Sequence, residues 1–298
     1  MKTTPPAPDR LARGVALGGN VRFALARTTA IARELVRLHD AGPLGALALA
    51  RVATGAILLG AHLKHRQQIG VQVNGQGPLG EIYAIADGDG HVRASIDAPR
   101  AEPVGDTLRL GPALFPGRLT VTRRLSEDQP AYRGIVELVT GEIGDDLAAY
   151  LLGSEQIPSA VAVAERLGPE GVEAAGGFLV QALPGASPEA LDAIIDRIEA
   201  LPPLADLIAD GSSSAAILGH LFDDAEILAE TDLVTRCPCS REHFARRLVT
   251  LGSAELERLT AEQAITEVEC HFCRSRHVFD REQMNALVYG ARMYEQAN

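Results

Sequence analysis

The first 236 residues contain no cysteine at all, so no disulfide can hold that part of the chain together. The absence points to a reducing, cytoplasmic home. Positive charge is also short: Lys and Arg number 28 against 39 Asp and Glu, giving a net charge of −11 and a pI near 5.2. That balance disfavours a generic electrostatic grip on phosphate backbones, and nucleic acid is not an expected partner. The opening Met1–Pro8 lacks the apolar run of a signal peptide, and the C-terminus carries no targeting motif, so export is not expected. Low-complexity tracts and internal repeats are missing as well. With 46% apolar residues among 298, the chain should fold, around one large core or two domains.

Catalytic signatures are lacking too. There is no Walker loop, no Gly-x-Ser-x-Gly elbow and no His-Glu-x-x-His helix, and an enzyme is not expected. Gly75-Gln-Gly-Pro-Leu-Gly80 matches the dinucleotide-binding spacing, but Pro78 interrupts it and Glu81–Ala86 continues as a strand where a phosphate-binding helix should begin. It reads as a hairpin turn. Asp87-Gly-Asp-Gly90 likewise reads as a turn, because the full ligand ladder of a calcium loop is missing. The stretch from Pro43 to Leu63 imitates a membrane span, with Arg51 its only clear charge before the polar end. Arg51 near its centre would cost ~2.5–3.5 kcal/mol on insertion, so a helix buried in a soluble core is the expectation and no membrane is implied.

What the chain does have is four cysteines near its end: Cys237-Pro-Cys239, thirty residues, then Cys270-His-Phe-Cys273. Paired thiols of this kind make a four-thiolate metal site, for which tetrahedral zinc at sulfur distances of ~2.3 Å is the favoured ion. Four cysteines also allow three disulfide pairings, although a Cys237–Cys239 bridge closes a very small and strained ring. A Cys3His set remains conceivable, since His271 lies inside the second pair and His243 and His277 lie nearby. Arg236, Arg241, Arg274 and Arg276 flank the cysteines and would favour thiolate at Cys237 and Cys273, or are simply solvated surface charge. A fully liganded zinc leaves no open position for hydrolysis. The bland reading is a structural zinc knuckle; the sharper one is a redox switch, because thiolates are the oxidisable form and a small metal-dependent fold is lost with its metal.

Periodicity gives a coarse fold. Val21, Leu25, Ile31, Leu35 and Leu38 fit one face of an amphipathic helix ending near Asp40–Pro43, followed by the apolar helix, so that two helices open the domain. From Gln68 the period changes to two, with further short strands expected at Leu108–Leu110, Leu119–Arg123, Gly134–Glu137, Ala160–Glu165 and Gly176–Leu183 and a helix at Glu142–Tyr150. Residues 187–232 read as apolar helical segments docked on something. In the last segment Ser240 and Ser253 are candidate helix caps, Glu267–Cys270 and His277–Phe279 pair as strands, and Asp280 with Gln283 forms a capping box for a final helix. The fold class is α+β: a mixed α/β core domain over 1–186, a helical linker over 187–232 and a small zinc-binding α+β domain over 233–298.

The cysteine spacing, together with Gly77-Pro-Leu-Gly80, Gly141-Glu-Ile-Gly-Asp-Asp-Leu147, Ser154-Glu-Gln-Ile-Pro-Ser-Ala-Val161 and Ala174–Ala186, resembles the 33 kDa chaperonin family of redox-regulated heat-shock chaperones. The order of these motifs is the family's order, and the resemblance covers nearly the whole chain. It implies an ATP-independent holdase that is inactive when reduced and holding one Zn2+ on Cys237, Cys239, Cys270 and Cys273. Oxidation would pair Cys237 with Cys239 and Cys270 with Cys273, expel zinc and unfold the small domain and linker. Apolar surface would then be exposed to unfolding client proteins, and the monomer would become a homodimer. Pro238 is a departure from what the family leads one to expect, and the polar break at Gly211–Ser214 interrupts the linker. The competing readings are an enzyme or a passive interaction protein carrying a purely structural zinc knuckle.

Overall fold

The computed structural model describes residues 8–126 and 129–297. Met1–Ala7, most of the stretch considered for a leader, lies outside the described residues, as do Glu127, Asp128 and Asn298. The chain divides into two compact units, 1–236 and 237–298.

The first unit runs β1 (Arg10–Ala16), β2 (Val21–Arg27), α1 (Thr29–His39), α2 (Pro43–Leu59), β3 (Gln68–Gly75), β4 (Glu81–Asp87), β5 (His91–Ile96), α3 (Gly111–Leu114), β6 (Gly117–Arg124), β7 (Tyr132–Glu137) and α4 (Gly144–Glu155). It continues with β8 (Ser159–Gly168), β9 (Gly171–Ala182), α5 (Pro188–Glu199), α6 (Leu204–Ala209), α7 (Ser214–Leu221), β10 (Glu226–Asp232) and β11 (Val234–Thr235). Two sheets result, with strand orders β10-β1-β2-β9-β8 and β11-β5-β4-β3-β6-β7. Every pairing is antiparallel except β11 on β5.

The apolar segment after Pro43 is a helix, as its length and Ala/Leu content require, with Pro43 at its first turn. It touches strands of both sheets, so nearly every side of α2 is buried, which explains why its sequence shows no polar face. No helix among the described residues is long and apolar enough to cross a membrane. The charge that would have broken such a span, Arg51, makes a fork onto Glu165 at 2.8 and 2.9 Å and reaches Glu142 at 2.6 Å. Burial opposes the charge on Arg51, but these two carboxylates outweigh it and raise its pKa.

Around α2, Ile69, Val71 and Val73 alternate inward as the period of two demands, while Gln72 and Asn74 turn away. The motif at 141–147 proves to be a helix-starting clamp. Asp146, fully buried, accepts backbone N–H bonds from Val139, Thr140, Gly141 and Ile143. Its carboxylate thereby caps the N-cap N–H of α4 at Ile143 and holds the preceding loop through the N–H groups of residues 139–141.

Several expectations need correction. Strands β1 and β2, not two helices, open the unit, and the helix expected from Val21 begins only at Thr29. β2 lies inside a sheet with Val21, Phe23 and Leu25 in one core and Ala24 and Ala26 in another, so apolar residues on both faces hide its period of two. Leu108–Leu110 is not a strand; Leu110 is buried ahead of the short α3 while Leu108 is exposed. Segment 187–232 is not wholly helical, because it ends in β10, antiparallel to β1.

The second unit comprises α8 (Arg241–Val249), α9 (Ser253–Glu262), β12 (Ile265–Glu269), β13 (Arg276–Asp280) and α10 (Arg281–Ala297). Ser240 caps α8 by accepting from the His243 N–H, and Asp280 and Gln283 exchange the expected capping-box bonds. Ser253 is the first residue of α9 rather than its cap, and its hydroxyl donates to Glu295.

Arg51→Ala would strand two partly buried carboxylates. The expected loss is ~3–5 kcal/mol, measured by urea unfolding of the first unit's transition within the full chain. A loss below about 1 kcal/mol, the level of an exposed ion pair, would show the triad to be solvated.

Candidate metal centre

Cys237 and Cys239 stand immediately before the Ser240 cap of α8, and Cys270 and Cys273 occupy the turn between β12 and β13. The turn is closed by the Cys270 N–H donating to the Ser275 carbonyl at 2.9 Å and the Arg274 N–H donating to the Cys270 carbonyl at 2.8 Å. Arg274 takes the left-handed conformation there, φ 58. β12 and β13 pair from Ile265↔Asp280 to Glu269↔Arg276, which fixes how far the second cysteine pair projects.

This brings all four predicted ligands together. Their sulfur atoms lie within 4.8 Å of one another, with Cys270 buried and the others half-buried. The closest sulfur contacts run between the motifs, Cys239–Cys273 at 3.3 Å and Cys237–Cys270 at 3.7 Å. His277 Nε2 lies 3.9 Å from Cys239 Sγ with its ring against Phe244, at 4.8 Å between centroids. His243 accepts from Arg247 instead, and His271 is exposed. Four sulfurs at this spacing suit a divalent ion that prefers tetrahedral thiolate coordination.

Without a metal, Cys237, Cys239 and Cys273 differ in the direction of their pKa shifts. Burial pushes Cys237 up, assisted by the negative charge of Cys270. Burial also pushes Cys239 far up, as do its sulfur contacts with Cys273 and Cys237. Burial would raise Cys273 too, but hydrogen bonds from the Ser275 side chain and backbone and from the Cys239 thiol pull it down to about 7. Sequence reading missed Ser275; its signal was a hydroxyl two residues beyond a cysteine, the reach of a local side-chain hydrogen bond.

The flanking arginines are engaged away from the sulfurs. Arg274 pairs with Glu269 at 2.7 Å, and Arg276 with Glu267 and Glu269. Arg241 lies over the Phe279 ring and donates to the Val278 carbonyl, and Arg236 donates to His91. They therefore act chiefly as surface charge, the blander of their two readings.

A second group of candidate ligands, Asp87, Asp89 and His91, lies at the β4–β5 turn. Asp87 Oδ1 already accepts from the backbone N–H groups of Asp89 and His91, the bonding of the expected turn. Gly75–Gly80 is likewise the turn between β3 and β4.

The sequence pattern of the Hsp33 protein family matches residues 9–280. The chain is 39% identical over 285 residues to the 33 kDa chaperonin of Pelobacter propionicus, covering 94% of this chain and 93% of that one. It is 36% identical over 287 residues to the 33 kDa chaperonin of Bacillus mycoides, covering 94% and 98%. Its fold is similar to the crystal structure of the 33 kDa chaperonin of Thermotoga maritima, with a TM-score of 0.87 at 28% identity over 95% of this chain and 99% of that one.

A ligand set of four thiolates without an imidazole would carry a direct expectation. Each single Cys→Ser change should reduce bound metal from about one ion per chain to below about a tenth, measured by elemental analysis of protein purified under reducing conditions. His277→Ala and His271→Ala should keep full loading, and loss of metal in either would make the set Cys3His.

Proposed function

The chain belongs to the Hsp33 family of chaperones, and from that premise we propose that it is a redox-regulated holdase that works without ATP in the cytoplasm. Its resting form is reduced and monomeric and holds one Zn2+ on Cys237, Cys239, Cys270 and Cys273. The observation that carries the proposal is the convergence of those four sulfurs in the small second unit.

Bound there, zinc would supply a closed tetrahedral cross-link and keep the sulfurs as thiolates. Everything else is done by the chain. Oxidation by peroxide forms one disulfide for each peroxide consumed: two thiolates give up two electrons, the O–O bond breaks as the peroxide takes these electrons with two protons from solvent, and two waters leave. A disulfide sulfur is no longer an anionic donor, so pairing abolishes the site. The proposed pairs are Cys237–Cys239 and Cys270–Cys273, after the family resemblance; each thiol has all three others within 4.8 Å.

Packing indicates what loss of the cross-link would do. Among the described residues the second unit's core has six buried members, Leu248, Leu256, Phe279, Met284, Val288 and Ala291, with partly buried apolar residues packed around them, little to hold a fold of this size without a staple. Just upstream, segment 187–232 lays Ile194, Leu204, Ile208, Ile217, Leu218, Leu221 and Phe222 against Phe23, Leu25, Phe178 and Val180, with Phe222 stacked 5.7 Å from Phe23. We assign this segment as the metastable linker, 1–186 as the core domain and 233–298 as the switch. Its departure would bare an apolar sheet face of the kind that holds unfolding chains or a second copy of this protein.

Peroxide treatment at elevated temperature should release zinc to a chelating dye, consume the thiols, and yield a protein that suppresses light scattering by a chemically unfolded client; reductant and zinc should restore the resting form. Zinc release with no suppression of scattering would reduce the site to a structural knuckle. Peptide mapping that placed the disulfides between the two motifs would overturn the proposed pairing.

A further inference from the structure

Release of the linker uncovers a backbone edge as well as an apolar face. β10 is the outermost strand of its sheet and pairs with β1 alone. None of its residues is buried; intermediate and exposed positions simply alternate. Its register on β1 runs from Arg10↔Asp232 to Arg13↔Ala229, then resumes at Gly14↔Ile227, so Leu228 bulges out unpaired and 61% exposed. Glu226, Glu230 and Asp232 line the same strand. A bulge and acidic side chains are the devices by which natural edge strands avoid pairing with other chains.

β1 has none of that protection. It pairs with β2 without interruption from Arg10↔Arg27 to Ala16↔Val21, contains no proline, and buries Leu11, Ala12, Gly14 and Ala16. Gly14 is required by the close approach of β10, because a Cβ there would lie 1.9 Å from the Glu226 carbonyl oxygen. Strip β10 away and β1 becomes a long, flat edge with a free row of backbone donors and acceptors. Arg10, which holds Asp232 at 2.8 Å and Glu230 at 3.4 Å, would then be free for acidic groups on an incomer.

We propose that, in the oxidised protein, the β1 edge Arg10–Ala16 captures an extended segment of an unfolding client as an added antiparallel strand. The slot takes what β10 now supplies: an extended backbone whose inward side chains are small or aliphatic, like Ile227, Ala229 and Thr231, with acidic groups able to meet Arg10. Backbone pairing is indifferent to most of a client's sequence, which suits a protein that must hold many chains. The inference rests on the proposed release of 187–232 and adds to it the chemistry of capture.

The test uses the full chain and a fluorescent nine-residue peptide with the sequence of residues 225–233. Oxidised, zinc-released protein is first shown to suppress client aggregation; failure at that step sinks the chaperone reading itself and is distinct from a failure of strand capture. The peptide should then raise anisotropy saturably with oxidised protein and not with the reduced, zinc-loaded form. Two peptides N-methylated on alternate residues block opposite edges of the added strand. One should lose at least about tenfold in affinity and the other stay within about threefold, as removal of several backbone hydrogen bonds from one edge only requires. If the unmodified peptide does not bind a preparation that still suppresses aggregation, or if both methylated peptides bind as well as the parent, β1 is not a strand-capture site.

Discussion

Four sulfur atoms bring the start of the smaller unit against the turn of its hairpin. One pair precedes α8 and the other caps the β12–β13 hairpin, so whatever holds the sulfurs together also ties the start of the unit to its sheet. The apolar core beneath them is small, and a fold of this size commonly requires a metal or cross-links. On the proposed function the same atoms would serve as ligands when reduced and as cross-linking partners when oxidised, two uses that exclude each other. Without a metal, burial and sulfur contacts push the Cys239 thiol up, while Cys273, which burial would raise, is pulled down by hydrogen bonds from Ser275 and Cys239.

The first unit has the opposite character. Its main core wraps α2 between two sheets, and among the residues whose burial is described none of 187–232 belongs to it. The linker contributes instead to a separate core on the other face of the sheet formed by β10, β1, β2, β9 and β8. Such a division allows a covering segment to leave without unfolding what it covers. The edge strand obeys the same plan, since β10 is attached to the sheet through β1 alone and only Leu233, Val234, Thr235 and Arg236 separate it from Cys237.

The site was far more legible in the sequence than the fold's opening. Cysteine spacing is a direct record of ligand chemistry, and the structure brings Cys237, Cys239, Cys270 and Cys273 together as that spacing implies. Ser240 and the Asp280–Gln283 box were equally plain, because caps act on neighbours a few residues away. β2 was misread as helix because a strand buried on both faces loses its alternation, and Val21 and Leu25 happen to fall a helical step apart. β10 was passed over although Glu226–Asp232 alternates, since three apolar helical stretches before it suggested a uniformly helical segment. Asp146 and the Arg51 triad were invisible in one dimension, as their partners are set by tertiary packing.

The proposed function holds that a metal on these thiols stabilises the second unit and that its loss frees the cover over the first unit's apolar face. Hydrogen exchange read by mass spectrometry on the whole chain, before and after peroxide treatment, tests it most directly. The account predicts that peptides from 237–298 and 187–232 lose protection together while those from α2, β3 and β9 keep it. An oxidised, zinc-free chain that retained full protection across 237–298 and 187–232 would contradict it.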